Sequence, residues 1–352
     1  MNTFDLGNGN IVYDVFRCRH YYIGLVSPYW CRPEVLGLVA PHYCAPTRDG
    51  RGLLIEGRKT EWFALPDSRQ FTLSLLAKIP GPQRNRPKLT VSLAGHDIQV
   101  RRLQPTVRRL AMVTMVRYDA PYLAEWIDHH ADLGFQHFYI YNHHDNSEIS
   151  EIVRSYPPHF ITEISWSGAY EADTAWAEPF LSVNSHCYTQ CPQMMHAALK
   201  YGDHWEWMGF FDADEFLCPM TDASLHDILD KAEQGEYCER PYERTAALQI
   251  KGKWFGTSGH RQLQQGSVLD NYTRCEAGHT CGYKCFVQPH TVTGTAIHYW
   301  DVTGQTSRVP DNVLRFNHYR AISAHKRRVG RKFDADWTNE QVDTRLCRKE
   351  RA

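Results

Sequence analysis

The sequence predicts an α/β fold: a nucleotide-type sheet with its loops on one edge, preceded by a β-rich N-terminal region. Three observations carry this. An apolar, aromatic run from Trp207 to Phe211 stops abruptly at Asp212, Asp214 and Glu215, as expected of a buried central strand that ends in acids. A strand–helix–strand pattern occupies Leu110 to Tyr141. Residues 1 to about 106 read instead as short apolar segments separated by Pro, Gly and Asn, the punctuation of short strands and turns.

The chain has 352 residues, enough for a large core and for more than one domain. The predicted divisions are a β-rich region over 1–106, an α/β domain over 107–333 and a C-terminal tail over 334–352. Thirty-nine Lys and Arg oppose 40 Asp and Glu, so no global basic field points to nucleic acid. No apolar run reaches transmembrane length, and Met1 to Gly7 lack the charged-then-apolar pattern of a signal peptide. The expectation is a cytoplasmic protein without a transmembrane segment, with peripheral membrane contact still compatible. Eleven scattered cysteines suit free, mostly buried thiols. The densest group, Cys275, Cys281 and Cys285 with His279 and His290 nearby, does not match the paired spacing of zinc sites.

In chain order, strands are expected at Ile11–Phe16, Tyr21–Val26, Phe71–Leu76 and Leu89–Leu93, with a loop over Pro80–Pro87 and a connection over Arg101–Pro105. Leu110–Met115 is a buried strand. Asp119 then stands where a helix cap belongs, and Pro121 is tolerated in the first turn. Leu123, Trp126, Ile127 and Ala131 recur at helical spacing and Gly134 ends the run. The strand His137–Tyr141 follows, so the pair should be parallel with a right-handed crossover. Ile161–Trp166 is a further strand, and a helix should occupy much of Ser185–Tyr201, with Pro192 near its start or bending it. Ser224–Lys231 reads as a capped amphipathic helix and Ala246–Ile250 as a strand. Trp254–His260 mixes aromatic, glycine and small polar residues, as sugar-binding loops do; a glycine-rich turn beside a core Trp is the plainer reading. Ala296–Trp300 and Leu314–Tyr319 are apolar segments that each carry a His-Tyr pair, and Ala324–Lys332 is a basic helix.

The acids carry the chemistry. Two carboxylates spaced i, i+2 past a strand end can converge on one divalent cation, and oxygen ligands suit Mg²⁺ or Mn²⁺ with positions left for substrate phosphates. The alternative for Asp212-Ala-Asp214 is a turn with solvated acids; the strand before it and Glu215-Phe216 after it favour the site.

An ordered set of blocks resembles glycosyltransferase family 92 and its family 2-like relatives. The blocks are Glu125–His130, Leu133–Phe135 with Phe138–Asn142, Phe211–Phe216, Trp254–His260, Lys284–Pro289, and Asn317–Tyr319 with Ser323 and Lys326, together covering about residues 110–330. The resemblance implies a GT-A fold, a nucleotide-sugar donor, most simply UDP-linked, a divalent Mn²⁺ or Mg²⁺ ion, and inversion at the anomeric carbon. It implies Asp214 as direct metal ligand, Asp212 as a ligand through water or a ribose contact, and His318 completing the metal site. Lys326 and Arg331 would neutralise diphosphate. Arg117, Asp119 and Asn142 stand where the nucleotide is expected, in two segments that depart from the family pattern, Arg117-Tyr118-Asp119 and Tyr141–Ser147. Transfer to a hydroxyl also needs a base, and Glu215, Glu276 and Asp301 are the candidates. The acceptor would be a glycan, glycolipid or glycoprotein. Two rival readings are a nucleotidyltransferase, disfavoured because Val116–Pro121 has no glycine, and a non-catalytic carbohydrate-binding protein, disfavoured by intact Asp212, Asp214 and His318. The dense charge of Lys326–Lys332 further suggests that 317–333 forms a lid ordered by donor.

Overall fold

The structure, a computed structural model, describes residues 4–5, 11–18, 22–28, 54–60, 62–65, 72–93, 96–103, 106–166, 189–240, 242–278, 280–323 and 336–347. Contacts divide the chain into two units, neither continuous in sequence: Met1–Arg109 with Ser165–Met208 and Gln288–Thr303, and Leu110–Ile164 with Gly209–Val287 and Gly304–Ala352. The basic stretch Ala324–Lys332, with Lys326 and Arg331, lies outside the described residues, as does His279.

The first unit is built mainly of antiparallel strands. Asp14–Cys18, Tyr22–Pro28, Thr72–Lys78 and Trp62–Ala64 form one sheet in that order. His96–Arg101, Lys88–Leu93, Leu54–Ile55 and Arg58–Lys59 form another. The alternation of Lys88–Leu93 buries Leu89, Val91 and Leu93, which join Val15, Ile23, Leu75 and Ile98 in one apolar core. Against this packs the helix Gln190–Tyr201, with Pro192 in its first turn, where a missing N–H costs nothing. Asp14, buried on its strand, accepts hydrogen bonds from His196 Nε2 at 3.0 Å and Lys200 Nζ at 2.6 Å, residues one turn apart on that helix. The segment Ala296–Trp300 spans the turn of a hairpin, in which Val292–Ala296 and Tyr299–Val302 pair antiparallel.

The second unit is mixed α/β. Arg108–Val116 and His137–His143 pair in parallel from Ala111↔His137 to Val116↔Asn142, and the helix Ala120–Asp132 forms the crossover. Gly134, at φ 101°, turns the chain after that helix in a conformation L side chains rarely adopt. The strand order of the central sheet runs Ile161–Trp166, His137–His143, Arg108–Val116, Trp205–Phe210, Tyr283–Val287, Thr245–Phe255. The helix Leu225–Glu233 starts with a full capping box between Ser224 and Asp227. Two local expectations are corrected. Asp119 sits at the N-cap but its side chain makes no cap bond; Oδ2 accepts from the Arg117 N–H at 3.3 Å instead. Trp254 and Phe255 are not loop residues but the end of the long strand Thr245–Phe255, with the turn following at Ser258 and Gly259, both at positive φ.

Among the described residues no helix is long and apolar enough to cross a membrane. The described cysteines are free thiols.

Candidate active site

The acids are set by strand register. Phe211, buried between Phe286 and Phe316, continues the central strand by donating its N–H to Val113 O at 3.3 Å. The chain then reverses: Glu215 N–H donates to Asp212 O at 3.0 Å, and Asp212 N–H donates to Glu215 Oε2 at 3.1 Å. It leaves as the strand Glu215–Pro219, antiparallel to Leu314–Tyr319, with Glu215 opposite His318. Tyr319 N–H donates to Asp214 O at 2.9 Å, which locks the register at the acidic turn.

Side chains of the crossover helix satisfy backbone groups of the acid-bearing strand. Trp126, His129 and His130 lie at i, i+3 and i+4, one helix face. Trp126 Nε1–H donates to Glu215 O at 2.8 Å, and His129 Nε2–H donates to Leu217 O at 2.7 Å. Leu217 N–H donates to His130 Nε2 at 3.2 Å, so His130 carries its proton on Nδ1, which faces Trp126 O at 2.8 Å. Burial, with His129 adding to it, holds His130 well below the ordinary histidine pKa, which keeps Nε2 an acceptor. Both histidines of the Glu125–His130 block are thus backbone partners.

Around the turn, five charged groups interlock. Lys284 Nζ lies 2.6 Å from Asp212 Oδ2 and 3.3 Å from Glu215 Oε2. His318 presents Nε2 to Asp214 Oδ2 at 3.3 Å and Nδ1 to Glu215 Oε1 at 3.2 Å. Cys281 Sγ stands 3.9 Å from the same Nδ1. Burial opposes charge on His318, but the Asp214 carboxylate outweighs it and the pKa is held up at about 10. Burial likewise opposes ionisation of Asp214, and His318, then Lys284, hold it below the ordinary carboxylate range. For Glu215 burial wins over Lys284 and lifts its pKa to about 7. Burial works against the Lys284 ammonium, and Asp212 and Glu215 keep it charged, with its pKa raised. The ring of Trp254 lies 4.3 Å from the His318 ring, and the Arg320 guanidinium is 4.7 Å from its centroid, so this aromatic is engaged by the site's own residues.

The fit of a divalent ion can be read from these spacings. Two donors bound side by side at about 2.1 Å from one ion stand about 3 Å apart. Asp214 Oδ2 and His318 Nε2, 3.3 Å apart, meet that spacing, and Glu215 on Nδ1 orients the imidazole as carboxylates orient metal-binding histidines. Asp212, the other predicted metal residue, has its Oδ2 engaged by Lys284 Nζ at 2.6 Å. Among the described residues no group of three or more His, Cys, Asp or Glu forms a metal cage. Asp214 and His318 form a donor pair that could hold an ion.

The other predicted residues are placed as follows. Glu276 accepts from Thr280 N–H and Oγ1–H and from Trp254 N–H, so both its oxygens tie a turn to a strand. Asn142 is buried and saturated: Oδ1 accepts from Asn146 N–H at 2.8 Å, and Nδ2 donates to Asn146 O at 2.8 Å and Glu163 Oε1 at 2.7 Å. Arg117 and Asp119 lie in the loop after the first strand, where the Arg117 guanidinium covers the ring of Tyr118, and Asn146 Nδ2 ties that loop to the next by donating to Arg117 O at 2.7 Å. That next loop holds His144 and Asp145 at φ 62° and 51°, strained positions for residues other than glycine. Asp301 belongs to the first unit, on the strand Tyr299–Val302. Sequence reasoning gave no role to Lys284. Its signal was a lysine inside the otherwise apolar strand Tyr283–Val287, since a charge in a buried strand demands a partner.

Residues 112–351 match the family model "Glycosyltransferase family 92". Relatives include glycosyltransferase family 92 proteins of Oryza sativa subsp. japonica, 25% identical over 60% of this chain and 33% of that one, of Ricinus communis, 24% over 66% and 40%, and of Arabidopsis thaliana, 25% over 60% and 35%. The chain spans about a third to two fifths of the length of these relatives. Among solved structures, HddC from Yersinia pseudotuberculosis aligns at a TM-score of 0.32 and 8% identity, over 59% of this chain and 92% of that one. The bifunctional WbbM glycosyltransferase aligns at 0.27 and 13%, over 46% and 26%.

Proposed function

From the premise that the chain belongs to glycosyltransferase family 92, we propose that it transfers a sugar from a UDP-linked donor to a hydroxyl of a glycan or glycoconjugate, with inversion, on a GT-A-type sheet and with Mn²⁺ or Mg²⁺. The observation that carries this reading is the meeting of Asp214, in the turn before the strand Glu215–Pro219, and His318, on the strand Leu314–Tyr319, at a spacing suited to one ion. Asp214 and His318 would hold the metal, which as a Lewis acid would stabilise charge on the departing diphosphate. Glu215 holds the His318 ring through Nδ1, so that Nε2 is aimed at Asp214. Glu276 keeps the turn at Thr280 closed on the strand that carries Trp254. Arg117 and Tyr118, on the loop after the first parallel strand, are positioned at the sheet edge where ligands bind in open α/β sheets.

A panel of UDP- and GDP-sugars with Mn²⁺ tests the reading. Glycosyl transfer or slow donor hydrolysis supports it. Pyrophosphate release would point to nucleotidyl transfer, and no turnover with any donor would point to sugar binding alone. The Asp214→Ala variant should lose at least about a hundredfold in transfer, the scale of losing one charge-stabilising group. Transfer undiminished by a chelator would overturn the metal-dependent mechanism.

A further inference from the structure

We infer that Lys284 is a resident counter-ion that keeps Asp212 from ligating the divalent ion, so that the protein offers only Asp214 and His318 and binds metal firmly only together with a diphosphate. This rests on the proposed metal-dependent reading and deepens it.

The argument is a matter of charge and reach. The Lys284 side chain is 3% exposed, and its ammonium meets Asp212 Oδ2 at 2.6 Å and Glu215 Oε2 at 3.3 Å. Its strand, Tyr283–Val287, is paired to Thr245–Phe255 with Lys284 opposite Ile250, so the backbone cannot carry the ammonium out to water. A buried ammonium is tolerated only while paired. Were Asp212 to swing onto a metal, Lys284 would lose its shortest contact and stand beside a second cation. Glu215 cannot replace Asp212 on the ion, since its oxygens already face Lys284 and His318 Nδ1. Two protein ligands leave most of an octahedral ion to water and substrate oxygens. Diphosphate and metal must then strengthen each other's binding equally, by thermodynamic reciprocity.

Mn²⁺ binding by the full chain, measured by calorimetry without nucleotide and with UDP, tests this. In the wild type UDP should tighten Mn²⁺ at least about tenfold, within the usual range of coupling between sites. Without UDP, Lys284→Met should bind Mn²⁺ more tightly than the wild type, because Asp212 is released, and adding Asp212→Asn to it should remove the gain. Asp212→Asn alone should weaken Mn²⁺ far less than Asp214→Asn. This single variant alters a side chain 35% exposed and stands as the test if Lys284→Met does not fold. If Asp212→Asn abolishes Mn²⁺ binding as Asp214→Asn does, or if Lys284→Met folds and binds Mn²⁺ no better than the wild type, the inference is wrong while the metal-dependent reading survives. If the wild type binds no Mn²⁺ even with UDP, both fail.

Discussion

Glu276 shows how a carboxylate's neighbours decide what it can do. Its acidity makes it a candidate base on paper, yet three donors from Thr280 and Trp254 take up both oxygens. A base must offer a lone pair to the acceptor hydroxyl, and Glu276 spends its lone pairs on the fold. Glu276→Gln should therefore keep transfer within about tenfold of the wild type, whereas losing a true general base costs about 10²–10⁴. Glu276→Ala, which strands the buried Thr280 and Trp254 donors, should lower stability by about 1–3 kcal/mol in urea titration. A loss of rate beyond a hundredfold in a folded Glu276→Gln protein would return this residue to the list of bases. Glu215 differs because, besides the Asp212 N–H, its partners are the charged groups Lys284 and His318 of the site itself.

At the level of elements, the acid-bearing strand Glu215–Pro219 depends on the crossover helix as much as on a neighbouring strand. The strand Leu314–Tyr319 pairs one side of it, and Trp126, His129 and His130 serve Glu215 O, Leu217 O and Leu217 N. This couples the helix rotation to the position of Asp214 within a few residues. Trp126→Phe keeps an aromatic ring but removes the Nε1–H, leaving Glu215 O without that donor in a buried place. The expected cost is about 1–3 kcal/mol of unfolding free energy, with a fall in transfer that excess donor does not restore, because the strand end rather than donor contact has shifted. A Trp126→Phe protein of unchanged stability and rate would show that the helix does not position the acids.

On the scale of the whole molecule, the first unit carries its own electrostatic device. Asp14 ties its sheet to the helix Gln190–Tyr201 through His196 and Lys200. Burial pushes the His196 pKa down to about 4, only partly offset by Asp14. Burial also opposes ionisation of Asp14, but His196 and Lys200 outweigh it and hold its pKa well below the usual carboxylate range. Both folded pKa values are depressed, so both contributions to stability are present above the unfolded pKa values and are lost as pH falls. The His196 contribution should decline from about pH 6.5 toward its folded value of about 4, and that of Asp14 below the ordinary carboxylate range. Urea midpoints followed by tryptophan fluorescence should therefore drop between pH 7 and pH 4. Asp14→Ala should cost about 3–5 kcal/mol at neutral pH, the scale of removing one partner of a buried ion pair. A midpoint independent of pH over this range would remove the buried pair from the account.

The sequence by itself determined what depends on near neighbours in the chain. The period of Leu123, Trp126 and Ile127, the Ser224–Asp227 box and the aromatic run ending at Asp212 each follow from local geometry, and each is found where its residues predict. The strand–helix–strand unit was legible for the same reason, since a short crossover allows a parallel pair only one hand. Tertiary structure decided who meets the acids, and of these meetings the family resemblance had implied only that of His318 with Asp214. Lys284 reaches Asp212 across 72 residues of chain, and His318 reaches Asp214 only because Glu215 and His318 fall opposite each other in strand register. Register is set by pairing between distant strands, and a slip of one residue would turn His318 to the other face. The same limit hid the fates of Asn142 and Glu276: a polar residue's type shows what it can bond, but only the folded surroundings decide whether that capacity is spent on backbone or kept for a substrate.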